Sequence, residues 1–191
     1  MTTVNPRHLS LTVEHMTPPD IVECARVALG GNIDLDPAST AKANLDVKAR
    51  AYYTKEDNAL IHPWNGNVFL NPPGGKVDGQ SQQKLFWQYL MQEYRAKRTK
   101  SAVFLSFSLE FLQTSQVKPY GLPTPHDFIV CFPSRRIAYF TESGERGASP
   151  PHASCVIYVG TDWTRFRKAF AGVGLFMGPV LPSWVGPPVT P

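Results

Sequence analysis

The tetrapeptide Asn71-Pro72-Pro73-Gly74 stands directly after the apolar run Val68-Phe69-Leu70, where a strand ends and a turn begins. It offers two hydrogen-bond acceptors of fixed direction. One is the Asn71 side-chain oxygen; the other is the Pro72 carbonyl, aimed by a backbone in which successive prolines lock φ and donate no N–H. Two such acceptors can hold both N–H groups of a planar amine and turn its delocalised lone pair toward an alkyl donor. That is the chemistry of methyl transfer to the amino group of a base or an amide. The same tripeptide, alone, also serves as an ordinary strand-ending turn.

Three further segments precede it in order. Glu14-His15-Met16-Thr17-Pro18-Pro19 leads into a helical pattern, Ile33-Asp34-Leu35-Asp36-Pro37-Ala38-Ser39 follows, and Glu56-Asp57-Asn58-Ala59-Leu60 comes shortly before the Asn71 strand. This order resembles that of S-adenosylmethionine-dependent amino methyltransferases. Over Glu14 to Pro73 the chain is similar to the compact, phage-type (Dam-like) DNA N6-adenine methyltransferases of bacteriophages and prophages. The resemblance implies a Rossmann-like methyltransferase fold and S-adenosylmethionine as cofactor. It gives Thr17 and Pro18 to the donor's methionine part, Asp34, Asp36, Pro37 and Ala38 to the donor-binding turn, and Asp57 to the donor's adenine. Asn71, Pro72 and Pro73 become the catalytic residues. Each has a plainer reading as well: Thr17-Pro18 is a good helix start, Asp36-Pro37 a turn, and Asp57 a solvated loop acid.

The chain departs from the family at Gly74, where an aromatic residue commonly follows Asn-Pro-Pro and stacks on the base swung out of the duplex. Phe107, after the next apolar run, is the expected replacement, with Trp64 a weaker candidate. The run Gly74-Gly75-Lys76-Val77-Asp78-Gly79 lacks the Gly/Lys spacing of a nucleotide-phosphate loop and reads as a flexible lid. Gly74, Lys76, Phe107, Arg135 and Arg136 form the substrate-facing set.

The elements that must position these residues alternate between helix and strand. A helix begins at Thr17-Pro18 and ends at Gly30, with Ile21, Val22, Ala25, Ala28 and Leu29 as its apolar face. Strands are expected at 33–35, 67–70, 101–107 and 127–132, with an amphipathic helix over 83–98 between the second and third. Residues 136–141 and 153–160 read as a late antiparallel hairpin, and Thr161 or Asp162 caps a last helix carrying Trp163, Phe166 and Phe170. The expected fold is thus α/β, a mostly parallel sheet with a late antiparallel hairpin. One domain spans 1–177, and a Pro/Gly-rich tail covers 178–191. In such sheets ligands bind beyond the carboxyl ends of the strands, where Asp34, Asp36 and Asn71 would meet.

Composition sets the remaining bounds. The 191 residues are 42% hydrophobic, enough for a core without metal or disulfide staples. Cys24, Cys131 and Cys155 are widely spaced among apolar neighbours and read as buried reduced thiols; no ligand spacing points to a metal. Neither a signal peptide nor a membrane-spanning run is visible, so a cytoplasmic protein is expected, with DNA as partner and no obligate protein partner. The net charge of +4 suits a polyanion. Of three basic groups, Arg95 to Lys100, Arg135-Arg136 and Arg165 to Lys168, the middle pair is the best phosphate contact because it lies at a loop-to-strand boundary. Sequence selectivity would come from loops near 74–82, 112–126 and 141–152. The alternatives are methylation of an RNA base or a glutamine amide, and a catalytically impaired DNA- or donor-binding protein.

Overall fold

The computed structural model describes residues 16–118, 121–140 and 152–179. Glu14, His15, the 141–151 segment and the tail from 180 lie outside them.

A seven-stranded sheet forms the centre. Its strands are β1 (Leu35–Asp36), β2 (Ala51–Tyr52), β3 (Gly66–Leu70), β6 (Thr99–Ser106), β7 (Ile129–Pro133), β8 (Cys155–Val159) and β9 (Gly174–Met177), in the order β2-β1-β3-β6-β8-β7-β9. The first four are parallel, and β8 runs antiparallel to both β6 and β7. β7 therefore points the same way as β6. β4 (Lys76–Val77) and β5 (Gln80–Ser81) form a separate small ribbon.

Helices cover both faces because the strands are apolar on both. In β3, Phe69 faces one side and Val68 and Leu70 the other; in β6, Val103 and Leu105 oppose Ala102 and Phe104. The Phe69 side is covered by α1 (Pro19–Ala28) through Ile21, Val22, Ala25 and Ala28, and by α5 (Trp163–Ala169) through Phe166. The other side is covered by α3 (Gln82–Arg95) through Phe86, Trp87, Leu90 and Met91. Two short helices, α2 (Asn44–Val47) and α4 (Glu110–Thr114), complete the set. Seven of the eight β6 residues are buried, which explains its continuous apolar run. No helix among the described residues is long and apolar enough to cross a membrane.

The expected strand and helix positions hold to within a few residues, but the late hairpin does not. Residues 153–160 do supply an antiparallel strand, yet it pairs with β6 and β7 instead of with 136–141. All five β8 side chains are buried, so the strand needs a neighbour on each edge. Residues 136–140 form no strand; Phe140 makes one antiparallel bridge, to Met16. Two strands of the central sheet were not foreseen: β2, compressed with α2 into the stretch before Asp57, and the edge strand β9. The presumed lid over 74–79 is the β4–β5 ribbon, closed by Asp78 and Gly79 at φ of 49° and 77°. An Asp-Gly pair with both φ positive makes the tight hairpin turn that matches strand twist.

Candidate active site

Parallel strands bring their carboxyl ends to one rim, and the end of β7 joins them. Asp36 closes β1, Asn71 follows β3, Phe107 follows β6, and Arg135 and Arg136 follow β7. β1 and β3 are direct neighbours, with Leu35 opposite Val68, so Asp36 stands beside the residues that lead into Asn71.

Asp36 is 3% exposed. Its carboxylate accepts from the Ala38 backbone N–H at 3.1 Å and from the Ser39 hydroxyl. Burial outweighs these bonds and pushes its pKa up to about 7. Among the described residues it has no ion-pair partner, so its charge is left for something else to balance.

Asn71 meets a residue 54 positions earlier in the chain. Its Nδ2 donates to the Thr17 hydroxyl at 3.2 Å. Thr17 does not cap α1: the cap position is Pro18, and no side chain bonds to the first turn. Pro19 already occupies that turn, where its missing N–H costs nothing. Thr17 is instead buried against the Asn71 loop, and Met16 beside it exchanges backbone hydrogen bonds with Phe140 at 2.9 and 3.0 Å.

Phe107 lies against Gly74. A Cβ built on Gly74 would find the edge of the Phe107 ring at 3.6 Å, an ordinary contact. The ring is half-buried and packs on the α1 side of the core. Its neighbours in sequence are pinned: the buried Ser106 hydroxyl lies 2.8 Å from Gln83 Oε1 and 2.9 Å from the Ser108 carbonyl. The Gly74 carbonyl accepts from the Gln82 side chain, and the Gly75 carbonyl from the Gln82 backbone N–H at 3.1 Å. Gln82 and Gln83, at the start of α3, thus tie the tetrapeptide and the end of β6 to one helix. Neither glutamine was foreseen; their position just before an apolar helical face was the only sequence signal.

Other expected residues sit elsewhere. Asp34 is at the amino-terminal end of β1 beside Asn67, whose backbone N–H it accepts at 2.8 Å. Asn67 stands four strand residues before Asn71, which is about 13 Å of extended chain. Asp34 also accepts from Asn32 at 2.8 Å and pairs with Arg50 at 3.2 Å. Its carboxylate is therefore a structural clamp away from the donor rim. Trp64 is fully buried among Phe86 and Tyr89, with its ring N–H donated to Ala59 O at 3.0 Å, and offers no face to a base. Asp57 lies on the exposed loop beyond β2. Hydrogen bonds from the Thr54 backbone and hydroxyl, at 2.7 and 2.8 Å, hold its carboxyl below the usual carboxylate range. Lys76 is exposed on the small ribbon, and Pro37 and Ala38 form the turn beyond Asp36.

Of the three basic groups, only Arg135-Arg136 lies on this rim, with both side chains exposed. In the first group, Arg98 pairs with the buried Glu93 at the opposite end of the sheet. In the third, Arg165 pairs with Asp162 at 2.8 Å and Arg167 lies 5.5 Å from the Phe176 ring centre. Cys131 and Cys155 are buried free thiols whose pKa burial pushes up to about 12; Cys24 is only half-buried.

Comparison with known proteins adds no relative: no protein-family model, curated protein or solved structure matches the chain.

Proposed function

We propose that this protein transfers the methyl group of S-adenosylmethionine to the N6 amine of adenine in DNA, with low or short sequence specificity. The supporting observation is that Asn71-Pro72-Pro73-Gly74 and the uncompensated carboxyl of Asp36 end adjacent parallel strands on one rim. A mostly parallel sheet with helices on both faces and an antiparallel strand late in the chain is compatible with the methyltransferase fold.

The residues present suit the donor. Asp36 is a buried acid with no cation partner among the described residues, which a ligand bearing an ammonium group would supply, and the Pro37-Ala38 turn keeps bulky side chains away from that place. When bound, S-adenosylmethionine furnishes a methyl group on a positively charged sulfur. On the acceptor side, the Asn71 Oδ1 and the Pro72 carbonyl take the two N–H groups of the adenine amine and direct its lone pair out of the ring plane. The nitrogen would gain the methyl carbon as the carbon–sulfur bond breaks and its electron pair stays on sulfur as a neutral thioether. The nitrogen would release one proton to solvent, so no further base is required. Phe107 takes the place of the family's missing ring, its exposed face meeting the extruded base next to Gly74. Arg135 and Arg136 contact the phosphates.

The test is label transfer from S-adenosylmethionine to DNA, RNA and protein side by side, with donor binding followed by calorimetry. DNA labelled at adenine N6 is the expected result, and Asn71→Ala should remove the transfer while donor binding survives. Labelling of RNA or glutamine amides alone would move the activity to another planar amine. Donor binding with no transfer to any of the three would leave a binding protein.

A further inference from the structure

We infer that Thr17 is a positioning residue that anchors the Asn71 side-chain amide; this rests on the methyltransferase reading above. The two ends of an asparagine amide are nearly equal in size and opposite in hydrogen-bonding character. Only the oxygen can accept from the substrate amine. A flipped amide would face the amine's N–H groups with its own, and the acceptor pair would be lost.

The Thr17 hydroxyl accepts one Nδ2 hydrogen at 3.2 Å, which anchors the amide with its nitrogen end at Thr17. A hydroxyl can also donate, so what the bond supplies is anchorage of the amide and not exclusion of the flipped form. Thr17 is itself held from both sides. Pro18, at φ −55°, fixes the chain after it, and the paired backbone bonds between Met16 and Phe140 fix the chain before it. Thr17 is buried at 7% exposure, so the bond is partly screened from competing water. A threonine that served only to start the helix would bond to the first turn of α1, and this one does not.

Thr17→Val keeps the shape and removes the hydroxyl. Loss of one partly screened hydrogen bond predicts a kcat about tenfold lower, with donor and DNA dissociation constants within about twofold of the parent. Thr17→Ser should restore most of the rate. Independently of turnover, the two Asn71 side-chain N–H resonances, identified by their absence in Asn71→Asp, should shift and exchange faster in Thr17→Val. If the valine form does not accumulate folded, Thr17→Ala repeats both measurements.

Three outcomes would overturn the inference: unchanged kcat and resonances in the hydroxyl-free form, weaker donor binding at an unchanged saturated rate, or a serine form as slow as the valine form. The second of these would make Thr17 a donor ligand and the third a packing residue. A parent protein that methylates no amine substrate would sink the methyltransferase reading and this inference with it. An active parent with an unaffected Thr17→Val would sink this inference alone.

Discussion

At the amino-terminal ends of the strands, polar groups answer one another. Asp34 meets Asn32, Asn67 and Arg50; the Asn67 side chain accepts from Ser101; Glu93 accepts from the Trp64 backbone and pairs with Arg98. Gly66 takes φ +83° there, and a Cβ would come 2.5 Å from the Asp34 carboxylate. At the carboxyl ends the bonding is different. Asp36 is more deeply buried than Asp34 and has no cation among the described residues, a glycine leaves Phe107 beside the Asn71 loop, and two arginines stand exposed. Both rims belong to the same strands, so burial alone does not separate them. A rim that closes its own hydrogen bonds holds the fold together, whereas a buried acid with no cation among the described residues is the feature on which the proposed donor site rests.

The largest expected effect probes Asp36. Because its folded pKa is raised from the usual carboxylate value to about 7, the native state holds a proton that the unfolded chain has already released. The contribution of Asp36 to stability is therefore full below about pH 4 and lost as pH rises through about 7, by something on the order of 4 kcal/mol, read as the difference between the parent and Asp36→Asn. Urea unfolding of the donor-free protein across this range should show the decline, and Asp36→Asn should remove it. Donor binding should run the other way, tightening as pH rises through 7 in the parent and staying flat in Asp36→Asn. A parent profile that runs parallel to that of Asp36→Asn over this window would mean that Asp36 is answered after all.

Next comes the opposite rim. Glu93→Ala strips partners from Trp64 and Arg98, and should cost about 2–3 kcal/mol in urea unfolding without altering the donor dissociation constant. A change in donor affinity would show that the two rims are coupled. Phe107→Ala should lower turnover by a factor matching the roughly 1–3 kcal/mol of a base–aromatic stack. Its stability cost should stay below the 3–5 kcal/mol of a fully buried phenylalanine, since the ring is half-buried. A folded, fully active Phe107→Ala would return the ring to the core. The smallest effect is electrostatic: replacing Arg135 and Arg136 with alanine should reduce the slope of log affinity against log salt by about 0.9 for each phosphate that is no longer neutralised. An unchanged slope would place the DNA surface elsewhere.

The strand ends that carry the candidate site were legible because their signals are local. An apolar run followed by Asn-Pro-Pro marks a strand end, Asp-Pro-Ala-Ser marks another, and parallel topology then sends both to one side. Phe107 was found in the same way, by counting to the end of the next apolar run. What stayed hidden depends on distant partners. Asp34 and Asp36 lie two residues apart and read alike; only Asn67 and Arg50, brought in from later in the chain, separate a clamp from an uncompensated acid. Thr17 looked like a helix cap because nothing near it reveals Asn71. The partners of β8 were missed because a strand's neighbours are chosen by which apolar edges remain open, not by sequence proximity.

The place of β8 also sets the order in which the chain can be finished. β6 ends at Ser106, but one of its edges is covered only by Cys155–Val159, which also separates it from β7. A chain growing on the ribosome at about 5–20 residues per second carries that apolar edge uncovered for several seconds. Chains released before residue 155 present Val103, Phe104 and Leu105 on an open strand, ready to pair with one another. Completion of the last third of the polypeptide is what turns an aggregation-prone nascent sheet into a closed one.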